Sequence, residues 1–332
     1  MVINQIFELS MLLDSDHFQK IIDRASAKSD YLEEHGEGYI DMSMAEKGIE
    51  VIYRASQYKK KVRLIVNTSL LLGNGSVDGE RVIRKLDKRI GEYFGYKYRL
   101  DNFSLSGMGL IVDIDVGSRE NVSAYLKVMK RVGKVKGFSP SSYDGFNGSA
   151  NFCLSGNSNG IDFLLYDLEG AVKDRLTDAE VGRKKLKSAS EQTKGILRVE
   201  IRLTKPKAIW AYTDADDMPS QIKELTESRA TIFMDTFARV VLFGNFYKKD
   251  AAMEIIRKEV KDNTMRRKML RLLVLIPEKK SLHLAQKTAG FRDVEKVMEA
   301  FAKINLSPVT LSKRHDVKCL GNLYSYMLDS AK

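Results

Sequence analysis

Acidic side chains at alternate positions of two predicted strands could bind a divalent cation. Asp113 and Asp115 lie in the apolar run 110–116, and residues two apart in a strand point to the same face. Glu200 has a similar place in a second alternating run at 195–203. Carboxylate oxygens are the ligands that Mg²⁺ and Mn²⁺ prefer. If the two strands are neighbours, the three carboxylates converge and form a metal site.

Two arginines, Arg198 and Arg202, flank Glu200 on the same face of its strand. A metal ion beside arginines suits phosphodiester chemistry, because the metal polarises the phosphate and the arginines offset the developing charge. A simpler interpretation is also open. Alternate acids on a half-exposed strand often just face water, and an Arg–Glu–Arg run often forms cross-strand ion pairs.

The motifs of several other enzyme classes are missing from the sequence. There is no His-Glu-x-x-His run and no P-loop, which argues against a zinc hydrolase and a P-loop NTPase, and no GxSxG elbow or dinucleotide-binding fingerprint follows a strand. The two cysteines, Cys153 and Cys319, are too few for a Cys-rich zinc site and indicate a reduced protein. Because no base lies near it in the sequence, Cys153 is predicted to be an inert thiol.

The charge balance of the chain indicates a polyanionic partner. Its 332 residues include 55 Lys and Arg against 44 Asp and Glu, which gives a net charge of +11. Nucleic acid is the first candidate, because Lys and Arg that neutralise phosphates release condensed counterions. The alternative is that the charge serves solubility alone. No apolar run is long enough to span a membrane, and the first residues do not resemble a signal peptide, so we expect a cytoplasmic protein without membrane partners.

Hydrophobic periodicity predicts an α+β domain with a mainly antiparallel sheet over residues 1–205. Predicted strands alternate apolar and polar residues, and predicted helices repeat apolar residues at helical spacing. The predicted strands are 39–44, 48–54, 62–67, 110–116, 150–154, 161–166 and 195–203. The predicted helices are 18–31, 81–94, 120–132 and 168–175, and the charged segment 177–194 is left without an element.

After Pro206 the periodicity becomes helical, which predicts an all-α, basic domain over residues 206–332. The run 281–305 resembles a helix–turn–helix with Gly290 in the turn, although helix pairs of this kind occur in many helical domains. A basic surface that contacts phosphates without reading bases is the favoured interpretation. The predicted DNA-binding residues are Arg198, Arg202, Lys248, Lys249, Arg266, Arg267, Lys268, Arg271, Lys313 and Arg314.

The order of the motifs resembles that of a known family. An Asp-x-Asp strand is followed by a helix, then by a Gly- and Ser-rich segment at 137–160, then by a strand ending in Tyr166-Asp167, and last by the run Arg-Val-Glu-Ile-Arg at 198–202. This order resembles the replication initiation proteins of phages and plasmids that replicate by rolling circle, of the filamentous-phage and Rep_trans types. The resemblance spans roughly 60–205, and the basic helical segment fits it.

The resemblance implies a metal-dependent, strand-specific nickase that starts replication at an origin. In that family a tyrosine hydroxyl attacks one phosphodiester, forms a phosphotyrosyl link and leaves a 3′-OH for the polymerase. By this resemblance Asp113, Asp115 and Glu200 would hold Mg²⁺ or Mn²⁺. The implied partners are origin DNA, single-stranded or melted, and a host replication helicase or polymerase.

The sequence departs from the family pattern at two positions. The family's tyrosine belongs in the segment 150–156, where this chain has Phe152 and Cys153, and the family's lysine after Tyr-Asp is Leu168 here. Tyr143, in the preceding turn, is the nearest substitute nucleophile. The sequence leaves open whether the chain nicks DNA, binds DNA without cutting it as a replication or copy-number regulator, or is an adaptor for acidic proteins.

Overall fold

The fold is described from a computed structural model, which covers residues 2–27, 32–34, 38–56, 59–73, 77–142, 150–156, 158–178 and 183–329. The strands are β1 Asn4–Leu13, β2 Leu32–Glu34, β3 Gly38–Asp41, β4 Ile49–Ala55, β5 Lys60–Asn67, β6 Ser104–Asp115, β7 Ser139–Pro140, β8 Asn151–Gly156, β9 Ile161–Asp167, β10 Ile196–Leu203, β11 Phe246–Tyr247 and β12 Cys319–Leu320. The helices are α1 Ser15–Ser26, α2 Thr68–Leu72, α3 Gly79–Phe94, α4 Arg119–Lys130, α5 Leu168–Asp178, α6 Arg183–Thr193, α7 Pro206–Trp210, α8 Met218–Glu227, α9 Arg229–Val240, α10 Lys249–Glu259, α11 Asn263–Lys279, α12 Leu282–Ala289, α13 Val294–Lys303 and α14 Leu323–Asp329. None of the described helices is both long and apolar enough to cross a lipid bilayer.

One large sheet dominates the first two thirds of the chain. Its strand order is β2-β3-β4-β5-β1-β6-β10-β9-β8-β7, and the pairings described in it are antiparallel. The predicted α+β class with a mainly antiparallel sheet is therefore confirmed. Alternation explains the layout, because apolar residues on one face of the strands are buried and polar residues occupy the other face.

β1 lies at the centre of the sheet, between β5 and β6, although the sequence analysis assigned no strand there. Its alternation is real, since Phe7, Leu9 and Met11 are buried on one face. A polar residue interrupts the pattern at Gln5, which is fully buried and donates from Nε2 to the carbonyl of Leu225 at 3.2 Å. A buried glutamine, whose Nε2 is bonded to a distant helix while its Oε1 has no partner among the described residues, hides the strand from a purely local pattern.

The segment 177–194 contains helix α6, which the sequence analysis did not predict. α6 packs on α5 as a helical hairpin at one end of the sheet. Its only large apolar residue is Leu186, so the sequence offers too few apolar positions to reveal a helix. One of its contacts is a hydrogen bond from Ser190 to Glu169 of α5, which only the tertiary structure brings together.

The segment after β10 is helical, as predicted, with one addition. β11 and β12 form a two-stranded antiparallel pair that joins Phe246 to Leu320 and Tyr247 to Cys319. β10 ends at Leu203 and the next helix begins at Pro206, whereas the division into two domains at 205/206 stays a prediction. The buried apolar residues nevertheless form one continuous core across it. Tyr125 of α4 adds a polar link by donating to the carbonyl of Gly321 at 2.8 Å.

Candidate functional site

The strands that carry the predicted motifs are neighbours in the sheet. β6 pairs with β10, β10 with β9, and β9 with β8. The condition set by the sequence, that the two acid-bearing strands lie side by side, is therefore met. Residues directly opposite each other in antiparallel strands project to the same face, so the registers define which motif residues share the polar face of the sheet.

A first row across the polar face runs from Asp113 through Arg198 to Tyr166, which are aligned in register. Arg198 donates from Nε and Nη2 to the two carboxylate oxygens of Asp113, at 2.6 and 2.8 Å. This bidentate geometry is the strongest form of an arginine–carboxylate pair. Burial alone would lower the pKa of Arg198, but the hydrogen-bonded carboxylate of Asp113 outweighs it and raises the pKa.

A second cluster centres on Glu200, which is 6% exposed. Its Oε1 accepts from Nε of Arg202 at 2.6 Å, and its Oε2 accepts from the hydroxyl of Tyr166 at 3.2 Å. Burial, and then the charge of Glu200, raises the pKa of Tyr166. The Tyr166 hydroxyl is therefore protonated at neutral pH and acts as a donor that orients the carboxylate.

The third predicted metal ligand, Asp115, is exposed at the end of β6, where it accepts from the backbone amide of Gly117 at 2.8 Å. Asp113, Asp115 and Glu200 thus share one face on neighbouring strands. Within the described ranges, no three His, Cys, Asp or Glu side chains form a group that could hold a metal ion. Arg198 and Arg202 already bond to Asp113 and Glu200, so a cation would have to displace them from these carboxylates. The metal site stays a prediction.

The strand in which the family's tyrosine belongs is β8, and it carries a thiol instead. Cys153 is aligned with Leu164 and, through it, with Glu200, so its side chain is on the polar face. Burial raises the pKa of Cys153 to about 11, so the thiol is protonated at neutral pH. Phe152 is directed to the opposite, apolar face, with its ring 6.3 Å from that of Phe163. The predicted nucleophile Tyr143 lies outside the described residues.

The α5–α6 hairpin covers one side of the polar face. Apolar residues of α5 pack against Leu164 and Tyr166. The hairpin is tied to the start of α4 by Glu169, which is 2% exposed and pairs with Arg119, with Lys173 at 2.7 Å and with Ser190 at 2.5 Å. Burial would raise the pKa of Glu169, but these hydrogen bonds lower it to about 2.

Two residues of the polar face were missed by the sequence analysis. They are Glu8 of β1 and Arg63 of β5, and Glu8 accepts a hydrogen bond from Arg63. The Glu8 carboxylate lies over Gly107 of β6, where an added Cβ would come within 3.1 Å of it. Alternation in β1 could have placed Glu8 on this face, but nothing local selects Arg63 as its partner. Three arginines of this face, Arg63, Arg198 and Arg202, are thus each paired with a carboxylate.

The predicted DNA-binding cations of the helical segment fall into two groups. In the first, Lys268 binds both carboxylate oxygens of Asp293 at 2.6 and 2.8 Å, and Arg271 lies over the ring of Phe291 at 5.7 Å. Arg266 bonds to Asn263 and to the carbonyl of Val260, and Arg267 is exposed. The second group, Lys248, Lys249, Lys313 and Arg314, surrounds the start of α10.

The helix pair predicted at 281–305 is present as α12 and α13. Gly290 begins the four-residue turn in the left-handed conformation, with φ of 65°. Two acids and two lysines make up the charged exposed side of α13: Glu295, Lys296, Glu299 and Lys303. This balance gives α13 no excess of positive charge toward a phosphate backbone.

Comparisons with known proteins give one match. No protein-family model and no curated protein matches the chain. Among solved structures, the chain is similar to the rolling circle replication initiator protein from Geobacillus stearothermophilus, with 9% identity over 79% of this chain and 90% of that one, and a TM-score of 0.31. With so low an identity and TM-score, the match assigns neither a family nor a site.

Proposed function

We propose that this chain is a DNA-binding replication initiation protein of a phage, plasmid or integrative element, acting in the cytoplasm. The observation that supports this best is the arrangement of β6, β10, β9 and β8. The four motif-bearing strands are consecutive in the sheet, and their polar motif residues share one face. Segments that are dispersed between residues 104 and 203 thus contribute to one surface.

DNA binding is tested by measuring affinity for single-stranded and duplex oligonucleotides between 50 and 200 mM salt. Phosphate contacts release counterions, so log affinity should fall linearly with log salt, with a slope of about −0.9 per contact on duplex and about −0.7 on single strands. Failure to bind either form at low salt would contradict the proposal. Binding to acidic proteins in place of DNA would favour the interpretation of the chain as an adaptor for acidic proteins.

We propose further that the polar face cuts one strand of an origin. Asp113, Asp115 and Glu200 would hold Mg²⁺ or Mn²⁺ once Arg198 and Arg202 release them, and the arginines would then be available for the phosphate. The Tyr143 hydroxyl oxygen would bond to phosphorus as the bond from phosphorus to the 3′ oxygen breaks. The hydroxyl proton would balance the new 3′-OH.

The test is incubation of the protein with supercoiled plasmid bearing its own origin and either metal. Relaxed plasmid with protein attached to a 5′ end is expected. Tyr143→Phe, Asp113→Asn and Glu200→Gln should each abolish it, whereas Asp216→Asn, an exposed aspartate outside the site, should not. A covalent product from Tyr143→Phe would refute that nucleophile. Full activity of both Asp113→Asn and Glu200→Gln would refute the metal site.

A second candidate is a DNA-binding replication or copy-number regulator that does not cut. Two observations favour it: Asp113 and Glu200 are already neutralised by arginines, and β8 presents Phe152 and Cys153 where the related proteins have tyrosine. Binding to the origin with the plasmid left supercoiled in both metals would select this candidate. A host helicase or polymerase is a proposed partner of either form, which pull-down with purified host proteins would test.

A further inference from the structure

A basic surface lies behind the sheet, on the side opposite the polar face. α4 packs on the apolar face of β8, β9 and β10, and its last turn meets the segment 310–316. Arg131 donates to the carbonyl of Thr310 at 2.8 Å, and Leu311 donates its amide to the carbonyl of Tyr247 at 2.9 Å. We call this the α4–α10 surface, and its members are Lys127, Arg131, Lys248, Lys313, Arg314 and His315.

The cations of the α4–α10 surface differ in their partners from Arg63, Arg198 and Arg202 of the polar face. Lys313, 79% exposed, is 3.6 Å from the equally exposed Asp250. The salt bridges found among the described residues include none at Lys127, Lys248 or Arg314. On the polar face, by contrast, Arg63, Arg198 and Arg202 are each neutralised by a carboxylate. Positive charge that is not neutralised locally is what a phosphate backbone binds.

His315 is the titratable member of this surface, where it is half-buried and its backbone amide donates to the carbonyl of Ser312 at 3.2 Å. Burial lowers the pKa of His315, and the charges of Lys127 and Arg131 on α4 and of Lys248 before α10 lower it further, whereas Asp316 raises it. His315 is therefore largely neutral at pH 7.5. A phosphate among these cations would favour the imidazolium form, so protonation and anion binding should promote each other.

We propose that the α4–α10 surface binds the phosphate backbone of duplex DNA, and that His315 strengthens this binding as pH falls. The inference rests on the proposed DNA-binding function. A duplex fits because three separate segments of the fold supply the cations, which matches a rigid and regular array of phosphates. Its members are cations and an imidazole, whereas sites for single strands add Phe, Tyr or Trp rings on which bases stack.

The cation arm of the test uses Lys127→Ala/Lys248→Ala, with Lys20→Ala/Lys207→Ala as a control that removes two exposed lysines elsewhere. Affinity for a fluorescent duplex is measured by anisotropy between 50 and 200 mM salt. Loss of two phosphate contacts should make the slope of log affinity against log salt less negative by about 1.8. Between 50 and 200 mM salt, the affinities of the unmodified protein and of the control fall by some factor. The affinity of the variant should fall by a factor about 12 times smaller.

The pH arm compares the unmodified protein with His315→Gln. The unmodified protein should bind the duplex several-fold more tightly at pH 5.5 than at pH 7.5, and His315→Gln should lose most of this gain. Circular dichroism checks that the variants are folded. An unchanged salt slope in the double variant, or a pH dependence retained in His315→Gln, would overturn the inference. If the unmodified protein binds no DNA, the proposed function itself fails.

Discussion

Replacing Glu169 with glutamine is expected to lower the free energy of unfolding by about 2 kcal/mol at neutral pH, from the following estimate. At about 1.4 kcal/mol for a tenfold change in proton affinity, a pKa of about 2 in place of 4.5 corresponds to about 3.4 kcal/mol. Arg119 and Lys173 are 50% and 43% exposed, so solvent screening reduces that figure. Glutamine retains the shape of the side chain but loses its charge.

The pH dependence of this effect has a definite sign. Because folding lowers the pKa of Glu169, its stabilisation is complete above pH 4.5 and is lost as the pH falls toward 2. The difference in stability between the unmodified protein and Glu169→Gln should therefore shrink in acid, to about 60% of its neutral value at pH 3.5.

Urea unfolding followed by circular dichroism at pH 7 and pH 3.5 measures both effects. Glu191→Gln is the matched control, since it removes an exposed carboxylate from the same hairpin and should change stability by less than about 0.5 kcal/mol. Equal stability of Glu169→Gln and the unmodified protein at pH 7 would refute the reasoning. So would a difference that grows as the pH falls.

Three further predictions concern buried groups around the sheet. Tyr166→Phe removes the hydrogen bond to Glu200 and should cost about 1 kcal/mol of unfolding free energy in urea; an unchanged value would mean that the bond adds nothing. Since burial raises the pKa of Cys153 to about 11, a thiol reagent at pH 8 should modify the exposed Cys319 first, and mass spectrometry showing equal rates would contradict this. Phe163→Ala leaves a cavity in the core and should cost about 3–5 kcal/mol in the same urea assay, whereas a loss below about 1 kcal/mol would argue against its full burial.

The sequence by itself determined most of the local elements. β5 and β10 alternate apolar and polar residues, β6 and β9 contain the continuous apolar runs 110–112 and 163–165, and α3 repeats apolar residues at helical spacing. The common face of Asp113 and Asp115 follows from strand geometry alone. The predicted class and the change to helices after β10 follow from the same local periodicity.

Only the tertiary structure decided which charged groups meet. Arg198 pairs with Asp113 across 85 positions of sequence, and Glu169 reaches Arg119 across 50. Strand order selects these partners, and that order depends on how all the apolar faces are buried together, including the central strand β1. The same packing stabilises α6, whose own sequence has few apolar residues. Side-chain type and spacing are local properties, whereas the pairing of buried charges is set by which strands and helices become neighbours in the folded chain.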